Sequence, residues 1–426
     1  MKCYDEYIAI LKEELVPAMG CTEPIAVAYA AAIARDRLGE VPVKTDIKVS
    51  GNIIKNVKSV VVPNTSGMRG MEAAAAAGII AGDPTKELEV ISQVSAEQVQ
   101  EIREFLASSE VKVSEADSDY IFDIQIALEG QNSTAKCRIA GYHTNIIYIE
   151  KNGQVELEKE FTESKETHST DRSLLNVEDI VAFAEMVNIE DVRVIISRQI
   201  DYNMTIAKAG MEGAFGARIG QILMEAYGNS VSNRAKAMAA AGSDARMNGC
   251  NLPVVINSGS GNQGITTSVP VIVYAEELKV SEETLYRALV LSNLITIHLK
   301  TGIGRLSAYC GAISAGCGAA AGIAYLMGGR KKEIEHTIVN AVAINSGVIC
   351  DGAKSSCAAK IASAVEAGLL GMQMYFHGSQ FYGGDGIVTK GVENTIQNVG
   401  RLARQGMAVT DKEIIDMMVA GTRRSC

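Results

Sequence analysis

The stretch CGAISAGCGAAAGIAYLMGG, residues 310–329, decides the fold class. It is uncharged and consists mostly of alanine and glycine. Such a stretch is too weakly apolar for a membrane span, but it suits a helix that is buried among other helices. Two further runs, IAVAYAAAIA (25–34) and MEAAAAAGIIAG (71–82), have the same character. The sequence therefore predicts a body of closely packed helices.

The overall composition agrees with this prediction. Hydrophobic residues make up 47% of the 426 residues, aromatic residues only 5%, and tryptophan is absent. The net charge of −10 argues against a general surface for nucleic acid or anionic membrane. The acidic, amphipathic start MKCYDEYIAILKEEL does not resemble a secretory signal. We expect a cytoplasmic protein whose nine cysteines are free for metal or catalytic roles.

The pattern of hydrophobic residues in the sequence changes at Asp83–Pro84. Beyond it, stretches such as IFDIQIAL (121–128) and TNIIYIEK (144–151) alternate with period two, which is typical of strands. Earlier, residues 43–62 indicate a strand, a turn at 50–52 and a second strand or irregular extended piece. We predict a mainly helical catalytic body, residues 1–82 and 170–426, with an inserted small α+β domain and linker, residues 83–169. In the second part of the body, glycine-rich breaks are expected at 242–264, 302–304, 346–352 and 383–386.

Two short motifs have the composition of ligand sites. In GCTEP (20–24), a cysteine precedes an apolar helix, where the positive end of the helix dipole would favour a reactive or metal-binding thiol. A proline in the first helical turn is also ordinary at a helix start. NSGSGNQG (257–264) follows the buried run LPVVI and can turn backbone N–H groups toward an anion. It is equally well explained as a plain loop.

The cysteines of the last third of the chain form two pairs. Cys350 and Cys357 lie seven positions apart around Asp351–Gly352, and Cys310 and Cys317 have the same spacing. On an unbroken helix, such residues are separated by roughly 10 Å along the axis. A turn at Gly352, followed by a helix start, would let the sulfurs of Cys350 and Cys357 converge.

Four motifs together resemble the L-cysteine desulfidase family, which is related to the α region of bacterial iron–sulfur L-serine dehydratases. They are AMGCTEPIAVAYAAA (18–32), NSGSGNQG, GRLSAYCGAISAGCG (304–318) and ICDGAKSSCA (349–358). The resemblance implies α,β-elimination of L-cysteine to pyruvate, ammonia and sulfide without pyridoxal phosphate. It also implies an oxygen-sensitive 4Fe-4S cluster held by Cys310, Cys350 and Cys357, with Cys317 as the alternative to Cys310. The related dehydratases suggest that the last residue, Cys426, caps the open iron.

The roles of the remaining candidate residues are assigned on the assumption of this elimination reaction. Cys21 is expected to act as the base at Cα, or as proton donor to the leaving group, with a thiol pKa lowered by the helix dipole and by the nearby metal charge of the cluster. Glu23 either orients Cys21 or is an acid stabilised by the helix N-terminus. The further catalytic candidates are Lys354, Lys300 and His298. The candidates for substrate binding are Ser66, Arg69, Asn262 and Gln263.

Two other functions fit the same motifs. One is an L-serine dehydratase with the same type of cluster, and the other is a non-catalytic iron–sulfur redox sensor. We expect a small amino acid as substrate, no nucleic-acid or membrane partner, and a homo-oligomer.

Overall fold

The computed structural model describes residues 3–161, 170–304, 306–384 and 386–423. About 61% of the chain is helical, and a mixed sheet of six strands accompanies the helices, which confirms a mainly helical fold with a sheet region. The helices of the first part are α1 (Tyr4–Glu14), α2 (Thr22–Leu38), α3 (Gly51–Val57), α4 (Gly70–Ala81) and α5 (Ala96–Ser108). The strands are β1 (Pro17–Met19), β2 (Lys44–Val49), β3 (Glu110–Glu115), β4 (Asp123–Glu129), β5 (Thr134–Ala140), β6 (Ile146–Lys151), β7 (Gln154–Glu158) and β8 (Pro253–Val255).

The second part of the chain supplies most of the helical body. Its helices are α6 (Val177–Met186), α7 (Ile189–Glu212), α8 (Ile219–Tyr227), α9 (Val231–Met247), α10 (Gly261–Leu278), α11 (Glu282–Ile303), α12 (Gly311–Leu326), α13 (Lys331–Asn345), α14 (Ser356–Phe376), α15 (Val392–Arg401) and α16 (Ala408–Arg423). Among the helices of the described ranges, none has both the length and the apolar character that a membrane crossing requires.

Helix α12, which contains the opening stretch, is buried between α10, α11 and α14. Its residues must be small because the neighbouring helices approach it closely. A Cβ at Gly316 would lie 2.5 Å from the carbonyl oxygen of Ala364 in α14. A Cβ at Gly318 would lie 2.1 Å from Oγ1 of Thr296 in α11. Because larger residues would push these helices apart, the alanine and glycine content sets the packing distance of the body.

The six-stranded sheet has the order β3-β2-β4-β5-β6-β7, with β2 and β3 parallel and the other neighbours antiparallel. Helix α2 packs against β4 and β5 and also against α4, so the sheet adjoins the helical body through this helix. Strand β2 precedes residue 83, so the sheet includes a strand from outside the segment predicted as an insertion. The domain boundaries themselves remain a prediction.

Three local predictions were wrong. Residues 51–57 form helix α3 rather than an extended piece, because Ile53 and Val57 are buried at helical spacing. Helix α9 continues through the predicted break at Gly242, which packs against Ala207 of α7. The second half of NSGSGNQG is not a loop, because α10 begins at Gly261.

Candidate active site

Four helices begin around one small cavity, which has a volume of about 100 Å³. They are α2, α10, α12 and α14, and the cavity is lined by residues at their starts: Cys21, Ser260, Cys310 and Cys357. Within the described residues, none of these four helix starts is capped by a hydrogen bond from its N-cap side chain. The uncapped N–H groups and the positive ends of four helix dipoles favour negative charge in this region.

Two of the predicted ligands are held side by side by backbone pairing. The amide of Cys310 donates to the carbonyl of Val348 at 3.1 Å, and the amide of Cys350 donates to the carbonyl of Ala308 at 2.7 Å. The third thiol follows a turn at Gly352, whose φ of +94° favours glycine. This confirms the predicted turn, and Cys310, Cys350 and Cys357 all line the cavity as free thiols.

The electrostatics of this thiol group favour an anion. The hydrogen bond from Cys310 and the positive charges of Lys55 and Lys300 lower the pKa of Cys350. The pKa of Cys310 is raised, chiefly because its thiol is the donor to Cys350, and burial raises the pKa of Cys357. Of the two thiols, Cys350 therefore has the lower pKa.

Cys317 lies elsewhere. It is buried inside α12 and is not among the residues that line the cavity, and burial raises its pKa to about 12. Of the two alternatives for the third ligand, the structure brings Cys310 to the cavity. The predicted cap, Cys426, lies outside the described residues.

The three thiols are the type of ligand that an iron–sulfur cluster takes. In the described part of the chain, no group of three or more His, Cys, Asp or Glu side chains is arranged to hold one ion. A cluster distributes its ligands over several iron atoms, so its thiolates surround a wider space, and soft thiolates are the ligands that such clusters take. Lys300 and the four helix N-termini would offset the negative charge of a cluster and its thiolates, as would Lys55, whose Nζ also pairs with the Asp411 carboxylate.

Cys21 faces the same cavity and is bonded to Glu23. Its Sγ donates to Oε2 of Glu23 at 3.1 Å, and the hydroxyl of Thr22 reaches the same oxygen at 3.1 Å. Burial and the Glu23 carboxylate raise the pKa of Cys21 well above its usual value, although Arg246 opposes them. In the protein without a cluster, desolvation and the neighbouring carboxylate therefore outweigh the helix dipole, and the lowering expected from a nearby metal charge stays a prediction.

Several polar groups around the cavity are unpaired. Arg246, at the end of α9, is only 2% exposed, and within the described residues its guanidinium has no hydrogen-bond or ion-pair partner. Oδ1 of Asn262 and Oε1 of Gln263 are also buried without a hydrogen bond. Because buried polar groups are normally paired, these three side chains indicate a binding site for a polar ligand. Asn262 and Gln263 were candidates from the sequence, whereas Arg246 was not.

Four other candidates are not among the cavity-lining residues. Lys354 pairs with Asp351 at 2.6 Å, and His298 pairs with Glu393 at 2.8 Å. Nη1 of Arg69 donates to the carbonyl of Ser59 at 2.5 Å. Ser66 lines a separate depression. The cations that line the cavity are instead Lys55, Lys300 and Arg246.

Comparison with known proteins gives a consistent relationship. A profile of the serine dehydratase alpha chain family matches residues 85–416. A UPF0597 protein of Desulfitobacterium hafniense strain Y51 is 62% identical over 98% of this chain and 97% of its own length. UPF0597 proteins of Lachnoclostridium phytofermentans and Treponema denticola are 49% and 48% identical, each over 98% of this chain and over 100% and 98% of their own lengths.

Proposed function

We propose that this chain, which belongs to the serine dehydratase alpha chain family, is an iron–sulfur-dependent lyase that converts L-cysteine to pyruvate, ammonia and sulfide. The observation that carries the proposal is the cavity where three thiols, a fourth thiol bonded to a carboxylate, and an unpaired arginine meet. The family supports the lyase class. The four motifs that resemble L-cysteine desulfidases support sulfur as the leaving atom.

Cys310, Cys350 and Cys357 would hold a 4Fe-4S cluster at the bottom of this site. When bound, a cluster with one iron free of protein ligands supplies a Lewis acid for the substrate. The chain itself contributes the cationic surroundings, because Lys55 and Lys300 both act on Cys350.

Arg246 is suited to bind the α-carboxylate of the substrate. A guanidinium binds a carboxylate through two parallel hydrogen bonds, and the buried setting strengthens them. The unpaired oxygens of Asn262 and Gln263 can accept hydrogen bonds from the α-ammonium group.

Cys21 is suited to remove the α-proton. Glu23 accepts the thiol hydrogen bond at 3.1 Å and is placed to take the thiol proton, and the resulting thiolate acts as the base at Cα. The electron pair of the Cα–H bond then forms the Cα=Cβ bond. The Cβ–S bond breaks at the same time, and its electron pair leaves with HS⁻. Water hydrolyses the released aminoacrylate to pyruvate and ammonia.

L-serine is the second candidate substrate, because the matching family profile is that of a serine dehydratase. The same residues would remove hydroxide instead of HS⁻. The test is anaerobic purification, iron and sulfide analysis, and a pyruvate assay on both amino acids. We expect kcat/KM for L-cysteine to exceed that for L-serine at least tenfold. A preference for serine would overturn the choice of substrate, and an intact cluster without turnover of either would favour a redox sensor.

A further inference from the structure

We infer that Glu23 and His143 form a proton relay that connects Cys21 to a second, open cavity. The inference rests on the proposed function, in which Cys21 receives a proton in every turnover. The two oxygens of the Glu23 carboxylate point to different partners. Oε2 accepts from Sγ of Cys21 at 3.1 Å, and Oε1 lies 4.0 Å from Nε2 of His143.

The relay crosses the wall between two cavities. Cys21 and Glu23 line the small cavity of the candidate active site, whereas His143 lines an open cavity of about 540 Å³. Gly259 also lines the open cavity, and its carbonyl accepts a hydrogen bond from Thr22, which precedes Glu23. The three side chains of Cys21, Glu23 and His143 therefore form a path through this wall. The path leads from the active site to a space that water can enter.

The chemistry requires such an exit. Cys21 is only 2% exposed, and a bound substrate would fill the cavity that it faces. The proton taken from Cα restores the thiol of Cys21, and the proton that Glu23 took from this thiol must leave before the next turnover. It passes from the Glu23 carboxyl to Nε2 of His143 and finally to water, which returns Glu23 to the carboxylate. A shift of about 1 Å in either side chain brings the 4.0 Å separation to hydrogen-bond length.

The surroundings of His143 suit a proton acceptor. Its imidazole lies on the turn between β5 and β6, packed edge-on against Phe122 with 4.9 Å between ring centroids. Histidine titrates near neutral pH, which allows it to accept and release a proton in each cycle. Besides His143 itself and Tyr142, the titratable and charged residues that line the open cavity are Glu13, Glu14, Lys86, Glu87, Glu89 and Arg198.

The first test uses His143→Gln and His143→Ala in the intact, cluster-loaded enzyme. His143→Gln should lower kcat about 100-fold, a usual effect of removing a proton-transfer group, with KM changed less than twofold and iron content unchanged. Its solvent deuterium isotope effect on kcat should rise. Added imidazole should raise the kcat of His143→Ala at least tenfold, because the open cavity admits it. Tyr142→Phe, which alters the neighbouring residue in the same cavity, is the matched control and should behave as wild type.

A second readout does not require turnover. The alkylation rate of Cys21 by iodoacetamide, measured on its peptide by mass spectrometry, should show an inflection between about pH 5 and 8 in wild type that His143→Gln lacks. Wild-type kcat and isotope effect in His143→Gln would overturn the relay. If the wild-type enzyme eliminates from neither cysteine nor serine, the proposed function fails on that ground. Identical alkylation profiles would still overturn the relay, and different profiles would still support the coupling of His143 to Cys21.

Discussion

Replacing Arg246 with methionine should stabilise the substrate-free protein while it destroys catalysis. Arg246 is 2% exposed and unpaired within the described residues, so folding desolvates a charge without compensation from a protein partner. Methionine has a similar length and no charge. Exchange of buried charged groups for apolar residues of similar volume is commonly neutral or stabilising by up to about 4 kcal/mol. We expect the free energy of unfolding of the cluster-free protein to rise by about 1–4 kcal/mol.

The same change removes the proposed partner of the substrate carboxylate. Loss of one partner from a buried, hydrogen-bonded charge pair costs about 2–5 kcal/mol. Since about 1.4 kcal/mol corresponds to a factor of ten, kcat/KM should fall roughly 30- to 5,000-fold. Stability and activity would thus move in opposite directions, which is expected of a residue kept for ligand binding.

The assay combines urea unfolding of cluster-free protein, followed by helical circular dichroism, with anaerobic steady-state kinetics of the loaded enzyme. Arg234→Met is the matched control, because Arg234 lies on the same helix but pairs with Glu277 near the surface. It should lose at most about 1 kcal/mol and retain its kcat/KM. The reasoning is refuted if Arg246→Met is less stable than wild type by more than about 1 kcal/mol and its kcat/KM stays within about threefold of the wild-type value.

Three further predictions concern the same cavity. Replacing any one predicted cluster ligand with serine should abolish iron binding and cluster absorbance; these variants are Cys310→Ser, Cys350→Ser and Cys357→Ser. The control variant Cys317→Ser should keep both properties. Cys21→Ser should keep its iron and lose about 10²–10⁴ in kcat, and a fully active variant would reduce Cys21 to a helix-start residue. Gly261→Ala should raise KM for the amino acid without loss of iron, because the added Cβ would lie 2.3 Å from Nε of Arg246. An unchanged KM would show that Arg246 does not need its present position.

Local features of the site were predictable from the sequence. The composition of residues 310–329 predicted a buried helix, and α12 is one because its small residues face three neighbouring helices. The turn at Gly352 followed from a glycine beside an aspartate, and it has the positive φ that only glycine adopts readily. These predictions succeeded because each depends on the chemistry of a few consecutive residues.

Features that depend on distant packing were not predictable in the same way. Arg246 has the sequence position of an ordinary basic residue in the last turn of a helix, where a cation is favourable at the surface. Its burial follows from the packing of α9 against α10 and α14. Conversely, His298 lies only twelve positions before Cys310, yet its partner is Glu393, 95 residues further along the chain. The position in the sequence therefore suggested a surface location for Arg246 and a place in the site for His298, and the structure has neither.

Uncapped helix starts also occur elsewhere in the described residues, at α1, α3, α4, α8 and α15, but at the cavity several exceptions to local rules meet, and their combined demand is the argument for a ligand. Four helices begin there without side-chain caps, an arginine is buried without a partner, and two amide oxygens lack donors. Each exception alone would destabilise the fold, and proteins retain such features mainly at functional sites. The helix starts and Arg246 require negative charge, whereas Asn262 and Gln263 require hydrogen-bond donors. An anionic cluster beside a zwitterionic amino acid would satisfy all of them together, and neither partner alone would do so.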